Sequence, residues 1–312
     1  MQTVIITGGT GLVGKRLTAH LVTKGYKVII LSRKAGNDSN NQSVQYATWD
    51  IDRQTIDEQA ILTADYIIHL AGAGVMDRRW TASYKKEILD SRVKSSGLIA
   101  DSLKKYPNQV KAVVSASAIG WYGPDTQPAR PFVEEDEPST DFLGQTCALW
   151  EKSISNAASN DTRVCIVRTG IVLSNKGGAF TEFLKPLRFG LAAILGNGHQ
   201  MISWIHIDDL CRLFIFAMEN NSMKGSYNAV TGMPVSNKQL TLTLAKIKRG
   251  RFFIPFFVPA FLLKMILGEG SIEVLKSTTV SNAKAMAAGF TFLYPSIETA
   301  MANLCEKTKD QI

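Results

Sequence analysis

The sequence predicts an α/β fold: a doubly wound parallel sheet with a smaller, mostly helical C-terminal lobe. Two observations carry that expectation. The first is the opening stretch, where Met1 to Ile6, with β-branched Val4, Ile5 and Ile6, has the continuous apolar character of a strand buried on both faces. It runs straight into glycines at 8, 9, 11 and 14 and then into a helix. Gly8 lets the chain turn off the strand, Gly11 lets backbone N–H groups approach a phosphate, and Gly14 lets the helix lie close to the sheet. The helix N-terminus then faces the anion, the arrangement of a Rossmann dinucleotide site. The second observation is alternation: strand-like and helix-like stretches follow one another as far as Arg168, as right-handed crossovers in a parallel sheet require.

Taken in order, the second strand is Lys27 to Leu31, and the polar SRKAGNDSNNQS that follows reads as loop. A third strand is expected around Val44 to Thr48 and a fourth at Asp65 to Leu70. The fourth ends in small residues, Ala71, Gly72, Ala73 and Gly74, where the carboxyl ends of the strands form a ligand crevice. Trp80 to Lys104 reads as one long helix with Ile88, Leu89, Arg92, Val93 and Ser96 on a shared face. Val110 to Ser115 is a fifth strand, Gly123 to Asp141 a loop rich in proline and acid, Gly144 to Ala158 a helix and Arg163 to Arg168 a sixth strand. The expected division is therefore 1–170 as dinucleotide-binding domain, which also receives later strands, and 171–312 as substrate lobe. In that second part lie a helix to Phe189, the Gly-rich LGNGHQ, a short WIHIDDL and a helix through Met218. From Arg251 the chain reads as mostly helical, ending in an amphipathic Pro295 to Leu304.

Composition narrows the class. Of 312 residues, 45% are hydrophobic and 20% charged, which is ordinary for a globular protein and excludes a disordered chain. The net charge of +8 comes from scattered Lys and Arg, with Lys246 to Arg251 the one tight cluster, so a solvated basic surface is expected and no nucleic-acid partner. Cys147, Cys165, Cys211 and Cys305 are far apart with no CxxC pair, and the chain enters a strand without a signal-peptide pattern, which points to a reducing cytoplasm. The most apolar run, Phe252 to Leu267, is broken by Pro255, Pro259 and Lys264; it is expected to be core or interface and no membrane span. The assembly state allowed for is a homodimer.

Several motifs together resemble the extended short-chain dehydrogenase/reductases, in particular their atypical branch of epimerase family proteins. The carriers are TGGTGLVG, Thr7 to Gly14; HLAGAGV and RRW, His69 to Trp80; SRV, Ser91 to Val93; SASAIGWYG, Ser115 to Gly123; RTGIVLS, Arg168 to Ser174; and WIHIDDL, Trp204 to Leu210. The tail, with GRFFIPFFVPAFLLKMILGE and GFTF, looks like that branch's own C-terminal domain. The resemblance implies a nucleotide cofactor across the strand ends, with Thr10, Leu12 and Val13 along the pyrophosphate, Asp50 at the adenine, and Ala71 to Ala73 with Arg92 near the ribose and nicotinamide. It also implies a small polar or nucleotide-linked substrate between two lobes. Ser117 matches the serine that hydrogen-bonds the reacting oxygen in active relatives, while the extra residue in SASAIGWYG leaves Ser115 open. The YxxxK signature is missing: matching the helix by WEK, Trp150 to Lys152, puts Leu143 and Cys147 at its two positions. Leucine moves no proton, and a neutral thiol supplies no fixed cation. Tyr122 is then the nearest candidate for proton transfer, helped by Lys152, or else a ring packed under the nicotinamide. The function this implies is an NADP(H)-binding oxidoreductase-like or nucleotide-sugar-epimerase-like enzyme; the alternative is a catalytically inactive NADP(H)-binding sensor or partner-binding protein.

Which cofactor binds is read from the end of the second strand. An acid there accepts the ribose 2′-hydroxyl in NAD-selecting folds. Here the strand ends Ser32, Arg33, Lys34, with no carboxylate until Asp38, so a 2′-phosphate is attracted and NADP(H) is expected. Arg168 and Arg188 could bind an anionic substrate but are expected rather in structural or surface ion pairs, and the resemblance of WIHIDDL to the segment that begins a helix in this superfamily implies that Asp208 caps it, with no metal bound.

Overall fold

The computed structural model describes residues 1–34, 42–126 and 130–306. The first half contains β1 (Thr3–Thr7), α1 (Leu12–Thr23), β2 (Lys27–Ser32), β3 (Val44–Asp50), β4 (Thr55–Ile56), α2 (Glu58–Thr63), β5 (Tyr66–His69), α3 (Ala82–Lys105), β6 (Ala112–Ala118), α4 (Phe142–Ser155) and β7 (Arg163–Thr169). Then come β8 (Ile171–Leu173), α5 (Ala179–Leu187), β9 (Leu191–Leu195), β10 (Met201–Ile202), β11 (Trp204–His206), α6 (Ile207–Glu219), β12 (Gly225–Ala229), β13 (Val235–Ser236), α7 (Asn237–Arg249), β14 (Ile254–Val258), α8 (Ala260–Leu267), α9 (Ile272–Leu275), α10 (Ala283–Ala287) and α11 (Ile297–Glu306). The polar loop expected after β2 lies outside the described residues from 35 to 41, Asp38 included, as do 127–129 of the acid-rich loop.

The main sheet runs β12-β7-β6-β5-β1-β2-β3-β4, parallel throughout except for β4. Strand order reverses at β1, with β2 on one side and β5 on the other. A crevice must open there, because the connections leave β1 and β5 toward opposite faces of the sheet. Side-chain alternation sorts the strands into two cores. Val4, Ile6, Val28, Ile30, Ile68 and Val114 pack under α1 and α6, while Ile5, Ile29, Leu31, Ile67 and Val113 pack under α2, α3 and α4. Continuous apolar strands such as VIIT are what a sheet covered on both faces requires.

The lobe has a separate core of Leu173, Phe180, Leu187, Trp204, Leu240, Leu244, Ile297, Ala300, Met301 and Leu304, so the amphipathic terminal helix docks as expected. Two parts were not placed by the sequence reading. A later strand, β12, extends the main sheet beyond β7 in a segment, GSYNA, with too little apolar character to announce a strand. The run Phe252 to Leu267, expected as core or interface, is mostly exposed, with Leu263 buried and Phe253 packed on the lobe core, and its first part is the strand β14, paired parallel with β9, in a stretch expected to be mostly helical. Among the described residues, no helix is long and apolar enough to cross a membrane.

Candidate cofactor and substrate site

At the reversal of strand order the glycine turn is held by geometry that only glycine permits. Gly8 has φ +68°, and a Cβ on it would press on the Leu70 carbonyl at the end of β5. A Cβ on Gly14 would overlap the Gly8 carbonyl, so the first turn of α1 sits directly on the turn that precedes it. Gly11 N–H donates to the Gly8 carbonyl at 3.0 Å. Gly11 is also the N-cap of α1, offering no side chain to its free amides, and the first turn carries no acid. The starts of α3, α4 and α7 are instead closed by Thr81, Asp141 and Ser236. The α1 amides are thus left to an outside acceptor, and the helix dipole favours an anionic one. Thr10 is exposed beside them; Leu12 and Val13 are half-buried, with Leu12 reaching Gly178 of the substrate lobe.

The neighbouring strand ends complete this edge. Ser32 ends β2, with its hydroxyl accepting from Lys34 N–H at 3.4 Å, and Arg33 and Lys34 are exposed without an ion pair among the described residues. Asp50, at the end of β3, accepts from the amides of Asp52 and Arg53, both at 3.0 Å. On the other side, Thr7 Oγ1 accepts from the amides of Leu70 (3.1 Å) and Ala71 (3.2 Å), and Ser91 of α3 accepts from Ala73 N–H at 3.0 Å. The small-residue strand end is therefore laced open by hydroxyls rather than by bulk. Arg92 lies against Gly72: a Cβ there would stand 3.1 Å from its guanidinium carbon. The guanidinium donates to the Ile88 carbonyl at 2.9 Å and lies 5.0 Å from the centre of the Trp150 ring. Burial lowers its pKa, yet an arginine so placed stays charged. Burial, with the Arg92 charge second, pushes the adjacent His69 down to about 3, so its ring is neutral between Thr7, Ser95 and Ser96.

The wall beyond β5 is closed. Ser115 is fully buried and donates to the Ala116 carbonyl at 2.9 Å. Ser117 donates to Glu151 Oε1 at 2.6 Å, which spends its only hydroxyl proton on a carboxylate. Arg168 grips the same carboxylate with Nε and Nη2, each at 2.9 Å, while its Nη1 donates to Tyr122 OH and to the Glu134 carbonyl, both at 3.0 Å. Tyr122 OH in turn donates to Asn228 Oδ1 at 2.7 Å, and its ring stacks on Phe132 at 5.1 Å. Burial pushes the Tyr122 phenol up to about 12, the reverse of the lowering that proton transfer at neutral pH needs. Lys152, the cation expected to help it, is exposed on α4, and the cation at the phenol is Arg168. Leu143 packs on Gly120, and Cys147 donates its thiol to the Ala118 carbonyl at 3.7 Å, with burial pushing the thiol up to about 12.

Glu151 is the residue that sequence reasoning missed. The signal was available, since Cys147, Trp150, Glu151 and Ile154 share one helical face and three of the four are apolar. The expected cap of α6 is also corrected. His206 takes that role, its ring accepting from Asp208 N–H at 3.1 Å. Asp208 instead pairs with Arg16 (2.5 Å) and His20 (3.3 Å) of α1, and Asp209 accepts from the amides of Leu293 and Tyr294. Among the described residues no cluster of His, Cys, Asp or Glu could hold a metal.

A doubly wound parallel sheet with a glycine turn at its reversal, followed by a lobe with its own core, is the architecture of the extended short-chain dehydrogenase/reductases. The chain belongs to the NAD dependent epimerase/dehydratase family, whose model matches residues 4–230, and a domain of unknown function, DUF1731, matches 258–304. It is 33% identical over 307 residues to the epimerase family protein YfhF of Bacillus subtilis (strain 168), covering 98% of this chain and 99% of that one. It superposes on the human epimerase family protein SDR39U1 (isoform 2), solved with NADPH, at TM-score 0.87 and 29% identity, covering 98% and 99% of the two chains. A nucleoside-diphosphate sugar epimerase from Corynebacterium glutamicum matches at TM-score 0.76 and 32% identity, over 97% of this chain and 58% of that one.

Proposed function

We propose that this protein is an NADP(H)-binding enzyme of oxidoreductase or epimerase type, acting on a small polar, nucleotide-linked substrate held between residues 1–170 and 171–312. One observation carries the cofactor choice: Arg33 and Lys34 stand exposed and without ion pairs among the described residues at the end of β2, beside the glycine turn. A 2′-phosphate there gains charge-assisted hydrogen bonds that a 2′-hydroxyl does not. The human relative solved with NADPH supports the same choice. In this arrangement Gly8, Gly11 and Gly14 with Thr10, Leu12 and Val13 hold the pyrophosphate, Asp50 borders the adenine, and Ala71 to Ala73 leave room for the ribose and nicotinamide. Arg92 supplies, from α3, the cation that the missing lysine would have supplied from α4. It stands at Gly72, and its charge is felt by Cys147, which occupies the lysine position. The cofactor, when bound, supplies hydride chemistry; the chain's own residues orient it and exclude water.

A second reading, a cofactor-bound sensor or partner-binding protein, is favoured by one specific observation. The positions of the catalytic tyrosine and lysine hold Leu143 and Cys147, and no tyrosine in the chain is followed four residues later by lysine. Ser117 and Tyr122 then act as wall residues. Single-turnover assays of the NADPH-loaded protein against sugar nucleotides and carbonyl compounds separate the two. An enzyme converts at least one substrate, and a sensor binds NADPH with none converted.

A further inference from the structure

The most exposed large side chains of the substrate lobe gather at one tip. Two loops meet there, Arg188–Gly190 between α5 and β9 and Gly250–Phe253 between α7 and β14. Ile254 N–H donates to the Gly190 carbonyl at 2.8 Å, and Arg249 donates to the Leu187 carbonyl at 2.9 Å and to the Arg188 carbonyl. Each loop holds a phenylalanine out in water: Phe189 is 83% exposed and Phe252 86%. Ile254, 66% exposed, follows them at the start of β14, and further along the chain Phe257, Phe261, Met265 and Ile266 are exposed as well. Three large apolar side chains held out in water at two adjoining loops mark a site of contact.

The rim of this surface identifies the partner. Arg188, Lys246, Lys248, Arg249 and Arg251 lie in two short segments, 188–190 and 246–252, that contain no Asp or Glu, and none has a carboxylate partner among the described residues. A second copy of the chain fits poorly, because a two-fold contact would bring these cations together. Strand pairing through β14 is also blocked. The Ile254 N–H faces β9, so Pro255, which has no N–H, and Phe257 occupy the outer edge. Nucleic-acid bases would gain nothing from aliphatic Ile254, which neither stacks nor donates. Hydrocarbon beneath anionic headgroups satisfies both the apolar centre and the basic rim.

We propose that this tip docks the protein on an anionic lipid surface, with Phe189, Phe252 and Ile254 entering the interface and the surrounding Arg and Lys meeting lipid phosphates. Co-sedimentation of the full chain with phosphatidylcholine vesicles, with and without phosphatidylglycerol, tests it. The expected result is binding to the anionic vesicles alone, reversed by salt. The double variants Phe189→Ser/Phe252→Ser and Lys248→Glu/Arg251→Glu should each weaken it by about tenfold or more. These four side chains are solvent-facing, so unchanged thermal melts are expected of both variants. Absence of wild-type binding, or binding undiminished in both variants, overturns the proposal. So does a dimer, or an oligonucleotide complex, that forms through the same residues while vesicles are ignored.

Discussion

The two ends of the candidate site are built on opposite principles. Around β1 and β2 the polar groups are left unspent: uncapped α1 amides, and Arg33 and Lys34 without ion pairs among the described residues. Around β6, β7 and α4 the groups are spent on one another, with Ser117, Glu151, Arg168, Tyr122 and Asn228 joined in one buried chain of hydrogen bonds. Unspent groups at a crevice bind ligands, whereas groups that are buried and satisfied hold a wall rigid and resist titration. The difference teaches that a motif match transfers residue types but not their availability. Ser117 is expected from the motif to be the superfamily serine, yet its proton already belongs to Glu151.

The closed wall breaks most severely at its centre. Arg168→Ala leaves the Glu151 carboxylate buried without its cation, and denaturant unfolding should show a loss of about 3–5 kcal/mol. Acid should loosen the neighbouring β5 region next. The folded-state pKa of His69 lies near 3, below its ordinary 6.5, so the unfolded chain takes up a proton that the folded chain refuses. Stability is then full above pH 6.5 and falls by about 1.4 kcal/mol for each pH unit from 6.5 toward 3, a slope that His69→Gln should remove. At the open end, Gly14→Ala forces a methyl into the Gly8 carbonyl, so a cost of about 1–3 kcal/mol is expected with a matching loss of cofactor affinity, read by thermal melts with and without NADPH. The smallest effect belongs to Tyr122→Phe, about 1 kcal/mol at neutral pH. Because the folded phenol titrates near 12, its contribution persists below pH 10 and disappears between 10 and 12, so the wild type should weaken more than Tyr122→Phe across that window.

What could be read in the sequence follows the range of the forces involved. The glycine turn was legible because Gly8 and Gly14 answer to backbone sterics within a few residues. The buried parallel strands announced themselves through runs such as VIIT and KVIIL. β12 was not legible because its Asn228 and Ser226 side chains are spent in the polar wall, which deprives the strand of an apolar signature. β14 was not picked out of a stretch expected to be mostly helical because its apolar run is exposed and carries no periodicity imposed by a core. The cap at His206 was assigned two residues too far along, to Asp208, since the pull of Arg16 on Asp208 comes from a helix 192 residues away in sequence. The pairing of Ser117 with Glu151 and Arg168 is likewise tertiary, and no spacing within one element encodes it.

The proposed preference for NADP(H) at the open end is the point on which the rest depends, and calorimetric titration of wild type and Arg33→Ala with NADPH and NADH measures it directly. Wild type should bind NADPH about ten- to a hundredfold more tightly than NADH, and Arg33→Ala should lose about that factor for NADPH alone. Equal wild-type affinities, or a loss shared by both cofactors, would contradict it.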